Sequence, residues 1–259
     1  MKYILTVVLL AGLVFNGHAQ RGFHVGAHGL INASFILNQN AYGLEEYDYQ
    51  QTFGPGGGLV LGYNFTDHVG VQTELNLLNL GQNYQRSQNP VDYRRYSLSY
   101  VAIPVLLKYT SGEGMVRFYG QIGPQFMFLT DASIEYLDAA ENVQTVYNAP
   151  RHGGGLKEVT SVSGALAKPR FNSSNTGLNF GLGANIHVLP SLYVNAGLSF
   201  YYGFSDINSD AATTDPLAYY PGGTANGTWQ WPDLSLGKYE PSRNAYGGFD
   251  IGVHYIFLK

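Results

Sequence analysis

Hydrophobic and polar residues alternate with a period of two along much of this chain, most clearly over residues 96–130. There YSLSYVAIPVLLKYT is followed by SGEG and then by MVRFYGQIGPQFMFLT, so two alternating runs flank a four-residue turn. That arrangement predicts a β-hairpin. In the first arm Val101, Ile103, Val105, Leu107 and Tyr109 share one face, opposite Tyr100, Ala102, Pro104, Leu106 and Lys108. In the second, Val116, Phe118, Ile122, Phe126 and Phe128 share a face, opposite Arg117, Tyr119, Gln121, Gly123 and Gln125. Each arm runs to roughly 15 residues, against roughly 5 to 6 for an ordinary strand. Roughly 9 to 11 suffice to cross a bilayer at a tilt. An apolar face of that length backed by a polar one predicts a transmembrane β-barrel.

The same alternation predicts six further strands. Over 22–37, Phe23, Val25, Ala27, Ile31, Ala33, Phe35 and Leu37 face outward, and His24, His28, Asn32 and Ser34 inward. Residues 56–65 turn Leu59, Leu61, Tyr63 and Phe65 outward. A tight turn at Thr66, Asp67 and His68 leads to a strand with Val69, Val71, Thr73, Leu75 and Leu77 outward and Gln72, Glu74 and Asn76 inward. After the hairpin, 176–188 and 192–202 form a pair joined at Leu189, Pro190 and Ser191, with Asn179, Asn185, His187, Asn195, Gly197 and Ser199 inward. Residues 244–257 close the chain with Phe249, Ile251, Val253, Tyr255 and Phe257 outward and Asp250 and His254 inward.

The stretches 38–55, 82–95, 131–175 and 205–242 are expected to be loops, so connections alternate long and short. That alternation predicts an all-β, antiparallel up-and-down barrel of eight strands, with short periplasmic turns, long extracellular loops and both ends in the periplasm. The third loop, with Gly153, Gly154 and Gly155 at its middle, leaves room for a fifth strand pair, making ten strands. Tyr63, Phe65, Tyr109, Tyr255 and Phe257 are expected to form the periplasmic aromatic girdle, and Phe35, Phe128, Phe200 and Tyr202 the outer one.

Composition narrows the class. The 259 residues include 33 Gly, 21 Tyr and 14 Phe, with only 12% charged. Beyond the N-terminus there is no apolar run of the roughly 20 residues a membrane helix needs. So many aromatics exclude a disordered chain, and a net charge of -4 lacks the basic footprint of a nucleic-acid binder. With no cysteine, disulfides, thiol catalysis and a cysteine-anchored lipid are excluded. Residues 1–19, MKYILTVVLLAGLVFNGHA, combine Lys2, a short apolar core and small residues at Gly17 and Ala19. They predict a signal peptide cleaved before Gln20, followed by a single barrel domain over 20–259 in the outer membrane of a double-membraned bacterium.

Candidate chemistry is sparse. Glu74, Lys108, Arg117 and Asp250 would be charges inside a barrel whose lumen side chains fill, where burial demands partners; a paired network plugging the barrel is expected. His24 and His28 lie about 13 Å apart on one strand at roughly 3.3 Å per residue, too far to share a metal, although a cross-strand pair with His254 stays open. GPGGGLVLG over 54–62 lacks the third glycine and the following helix of a nucleotide loop; glycine there is expected to let the strand bend. GLSFY beginning at Gly197 ends on Tyr201, where a serine-hydrolase elbow needs glycine. His152, Ser161 and Ser163 in the third loop are not fixed relative to one another. Tyr219, Tyr220, Trp229, Trp231 and Tyr239 in the fourth loop, spaced by Pro and Gly, have the character of binding anchors. No catalytic, cofactor-binding or metal-ligating residue is assigned, and no cofactor is expected.

YVAIPVLLKY from Tyr100, RFYGQIGPQF from Arg117 and the ending SRNAYGGFDIGVHYIF from Ser242 resemble the PorT-type outer-membrane β-barrel family of Bacteroidota. That resemblance covers the mature chain and implies eight strands; it also implies that some members serve the type IX secretion system. The third and fourth loops are larger than the family pattern. The expected function is therefore a non-enzymatic barrel, an accessory or docking component acting through its loops. A narrow channel for small solutes is the alternative, followed by a lipid-modifying enzyme. Its expected partners are the lipid bilayer and a protein in an outer-membrane complex, not nucleic acid.

Overall fold

In a computed structural model, residues 21–37, 48–85, 93–137, 161–163, 167–209 and 241–257 are described. The strands are β1 (Gly22–Leu37), β2 (Asp48–Gln50), β3 (Thr52–Asn64), β4 (Val69–Gln85), β5 (Tyr93–Thr110), β6 (Val116–Leu137), β7 (Ser161–Ser163), β8 (Ser174–Leu189), β9 (Leu192–Gly203) and β10 (Arg243–Ile256). Eight of them are long. Each pairs antiparallel with its neighbours, and β1 pairs with both β3 and β10, which closes the sheet into a barrel. Closure leaves no unpaired edge among the long strands, as a membrane-spanning sheet requires. No helix among the described residues is long and apolar enough to cross a membrane.

The expected apolar face meets lipid. Ile31 and Leu77 are each 66% exposed, and Phe118, Leu182, Ile251 and Val253 are also exposed. An apolar belt of that extent is stable only against acyl chains. At the end carrying the short turns, Phe23 packs on Tyr63, Tyr63 on Phe65 and Tyr255 on Phe257. Toward the other end Phe180 stacks on Phe200 and Tyr202 meets Phe204. The turn at 111–114 uses Gly112 and Gly114 at φ 74° and 115°, a left-handed region that favours glycine.

Several boundaries differ from the sequence expectation, for one physical reason. The stretch 82–95, expected to be a loop, is mostly strand: β4 runs on to Gln85 and β5 begins at Tyr93. Likewise β3 begins at Thr52, and β6 passes Thr130 to reach Leu137. In the extensions of β4, β5 and β6 the polarity code is reversed. Asn79, Arg95 and Asp131 point outward and are exposed and Ser99 is half-buried on the same face, while Leu78, Leu80, Leu98, Ala132 and Ile134 point inward and are buried. Outside the bilayer the wall faces water, so it alternates as a soluble strand does. Ser99 bonds Asn79 Oδ1 at 2.8 Å and Arg95 Nε bonds Asn83 Oδ1 at 3.2 Å across the outer surface.

A register shift at Ser99 and Tyr100 pairs them with Asp131 and Leu129. Thr130 is thus an extra residue, a β-bulge that returns Ala132 and Ile134 to the inside. The barrel closes at eight strands, not ten. The additional strands β2 and β7 are three residues each and, among the described residues, pair only with the outer ends of β4 and β6. They extend the wall and do not cross the membrane.

The glycine run over 54–62 serves close packing. A Cβ at Gly56, Gly58 or Gly62 would collide with Leu78, Asn76 or His24 respectively. Large inward side chains lie across the bare backbone of the neighbouring strand, which is how a narrow lumen holds them.

Candidate functional site

The lumen has two compartments stacked along the barrel axis. The inner one lies toward the short turns and holds the expected charges. Glu74, Lys108 and Asp250 line one chamber together with His28, Gln72, Tyr119, Gln121, Asn195 and His254, with room for about one water molecule. Their donors and acceptors interlock. Glu74 accepts from Gln72 Nε2 and Asn76 Nδ2, both at 2.7 Å. Gln72 Oε1 in turn faces His24 Nε2 and Lys108 Nζ, each at 3.4 Å. His28 Nε2 lies 2.8 Å from Asn76 Oδ1 and 3.6 Å from Glu74 Oε2. On the opposite wall Asn195 Nδ2 donates to Asp250 Oδ2 at 2.8 Å, and its Oδ1 lies 2.9 Å from His254 Nε2.

Lys108 also sits over the Tyr119 ring at 4.4 Å and 5.7 Å from the centre of Tyr193, contacts that suit a desolvated ammonium. Tyr193 lies parallel to His254 at 4.6 Å. Arg117, the fourth expected charge, is elsewhere: it is buried near the turn, and its Nε donates to the Gly114 carbonyl at 3.2 Å.

The outer compartment is neutral. Leu78, Leu98, Tyr100, Met127 and Ile134 are buried to 2% exposure or less and form one cluster with Leu30, Ile36 and Leu80. The polar groups among them are amides and hydroxyls that bond one another in part: Asn179 and Tyr246 both donate to Gln125 Oε1, Tyr201 donates to Asn175 and Asn244 to Tyr100, while Gln125 Nε2, Asn179 Oδ1 and Asn244 Oδ1 are buried without a partner. Two chain segments close the mouth. Residues 167–173 include a short 3-10 turn, Lys168–Arg170, and bring Ala167 and Phe171 onto the cluster. Residues 204–209 bring Ile207 onto it. Phe171 and Asn208 form a β-bridge, and Asn172 Nδ2 bonds the carbonyls of Asp206 and Asn208. Parts of the expected third and fourth loops are thus an ordered plug.

Sequence reasoning placed Glu74, Lys108, Asp250, His24, His28 and His254 inside the barrel, and the structure gathers them. It did not single out Tyr193, Tyr201 and Tyr246, whose inward parity was legible, nor Phe171 and Ile207, which no alternation marks. Gly197 lies in β9 against Tyr119 and belongs to no nucleophile turn. Ser161 and Ser163 fall on β7 opposite Glu135 and Ser133 of β6. His152 and the aromatic group from Tyr219 to Tyr239 lie outside the described residues.

Residues 16–209 match the family model described as outer membrane protein beta-barrel domain. No curated protein matches the chain. Solved structures similar to it include OprG from Pseudomonas aeruginosa, at 14% identity over 94% of this chain and 99% of that one, with a TM-score of 0.44. Neisserial surface protein A gives 13% identity over 93% and 99%, with a TM-score of 0.41. Ail, the attachment invasion locus protein of Yersinia pestis, gives 12% over 91% and 99%, at 0.39.

Proposed function

This chain belongs to the outer membrane protein β-barrel domain family, and on that premise we propose that it is a sealed, non-enzymatic barrel serving as an accessory or docking component of an outer-membrane complex. It is an integral outer-membrane protein. The observation that carries the proposal is the plug: buried Leu98, Tyr100, Met127 and Ile134 fill the lumen, and Phe171 and Ile207 cover it. An apolar, close-packed cross-section opposes ion passage, so function falls to surfaces outside the lumen. Support for a non-catalytic role comes from the inner carboxylates, which are engaged by amide donors rather than turned toward a substrate cleft. Removal of residues 1–19 before Gln20 and a place in the PorT-type branch, with its link to protein secretion, are part of the same proposal.

In planar bilayers the folded protein is expected to show no steady conductance. In-cell crosslinking of the native outer membrane is expected to trap a defined protein neighbour. Open single-channel events would return the narrow-channel alternative, and an exclusively monomeric barrel with no crosslinked neighbour would remove the docking role.

A further inference from the structure

Two buried histidines of the inner compartment share an arrangement that the plug does not require. His24 Nε2 faces Gln72 Oε1, and Gln72 presents that oxygen because its NH2 group is held by Glu74. His24 Nε2 therefore carries the hydrogen, and Nδ1 is a bare lone pair. His254 repeats the arrangement on the other wall. Its Nε2 faces Asn195 Oδ1, whose NH2 is held by Asp250, so its Nδ1 is bare as well. Both Nδ1 atoms are buried with no hydrogen-bond partner, which is costly for polar atoms out of water. An imidazole whose far nitrogen donates toward a carboxylate-anchored group is the outer-shell pattern of a metal-ligating histidine, with tautomer and ring orientation fixed.

The spacing fits one ion. The two ring centres are 5.9 Å apart; an ion ~2.0 Å from each ring nitrogen allows a separation of up to about 6.4 Å. Gly26 pairs with His254 across β1 and β10, two residues from His24 on the inner face of β1. A Cβ at Gly26 would collide with His254 Nδ1, so the glycine lets the His254 ring lie across β1 with its bare nitrogen toward the strand that carries His24.

We propose that His24 and His254 form a two-coordinate site for a soft monovalent cation of the copper(I) class. Among the described residues no three His, Cys, Asp or Glu side chains converge on one point, which disfavours a tetrahedral or octahedral divalent ion. Two nitrogen donors suffice for a monovalent d10 ion. The charge balance also fits: Glu74 and Asp250 against Lys108 leave one formal negative charge in the compartment.

Silver(I) is the redox-inert probe. The folded barrel, purified in detergent and titrated in chloride-free buffer, is expected to retain about one silver per chain. His24→Gln and His254→Gln should each weaken binding at least tenfold, and Gly26→Ala should do so with both imidazoles present. His68→Gln and Met115→Leu, at the exposed turns, should leave it unchanged. X-ray absorption of the silver-loaded wild type should show two imidazole nitrogens as the only near neighbours, a readout independent of how the variants fold. Substoichiometric silver in the wild type, unaltered binding in the histidine variants, or sulfur in the coordination shell would each overturn the site; the first would assign the space between the rings to a bridging water.

Discussion

The inner and outer compartments of the lumen share one wall and one alternation, yet they are built from opposite materials. The inner compartment groups two carboxylates, an ammonium and two imidazoles around a space of one water, with the His24 imidazole set against Gln72 beside it. The outer contains no charged side chain in its buried cluster and joins Leu, Met and Tyr to the plug residues Phe171 and Ile207. The difference follows from what lies at each end. Beside the short turns, water reaches the lumen mouth and charges can be screened and paired. Beyond the lipid belt the wall itself stands in water, and its inner face must supply a hydrophobic core as in a soluble protein. The lesson is that a barrel wall sets only which residues face inward; their chemistry decides whether the lumen is polar or sealed.

The largest expected effect comes from exchanging the two materials. Leu98→Asp would place an unpaired carboxylate in the outer cluster. It is expected to cost several kcal/mol and abolish the folded form, read as loss of the boiling-dependent gel shift. A folded Leu98→Asp barrel would mean that water reaches the outer compartment.

Glu74→Gln should destabilise by about 3–5 kcal/mol, because it strips the inner network of a charge that balances buried Lys108. Adding Lys108→Met should recover part of the loss, with a coupling of about 1–3 kcal/mol in guanidinium unfolding from lipid vesicles. Strictly additive losses would break the claim that the inner charges form one network. Phe171→Ala with Ile207→Ala should cost about 2–5 kcal/mol by opening cavities, and channel activity in bilayers should rise above that of the wild type. The smallest contrast concerns glycine. Gly62→Ala should cost about 1–3 kcal/mol by displacing His24, whereas Gly29→Ala, with nothing within 4 Å of the new methyl group, should stay within about 0.5 kcal/mol.

What could be read in the sequence was whatever has a period of two. The outward residues from Phe23 to Phe257, the inward Glu74, Lys108, Asp250 and histidines, the eight strands and the short turns all follow from alternation, since lipid on one side and a crowded lumen on the other leave each position only one compatible polarity. The extension of β4 and β5 through 82–95 was hidden because the outward residues become polar once the wall leaves the membrane, so the stretch resembles a loop. The bulge at Thr130 shifts the parity and made the strand seem to end. Likewise, Phe171 and Ile207 carry no periodic signal.

By itself, then, the order of residues determined the barrel, its strand number and the sidedness of nearly every lumen group. Only the closed structure decided which of those groups meet. His24 and His254 are 230 positions apart in the chain and become neighbours because β10 returns to β1. The segments around Phe171 and Ile207 seal the lumen because an apolar mouth left open to water would be unstable. Alternation is a local consequence of backbone geometry, whereas contact across a lumen depends on closure, register and the shear of all eight strands together.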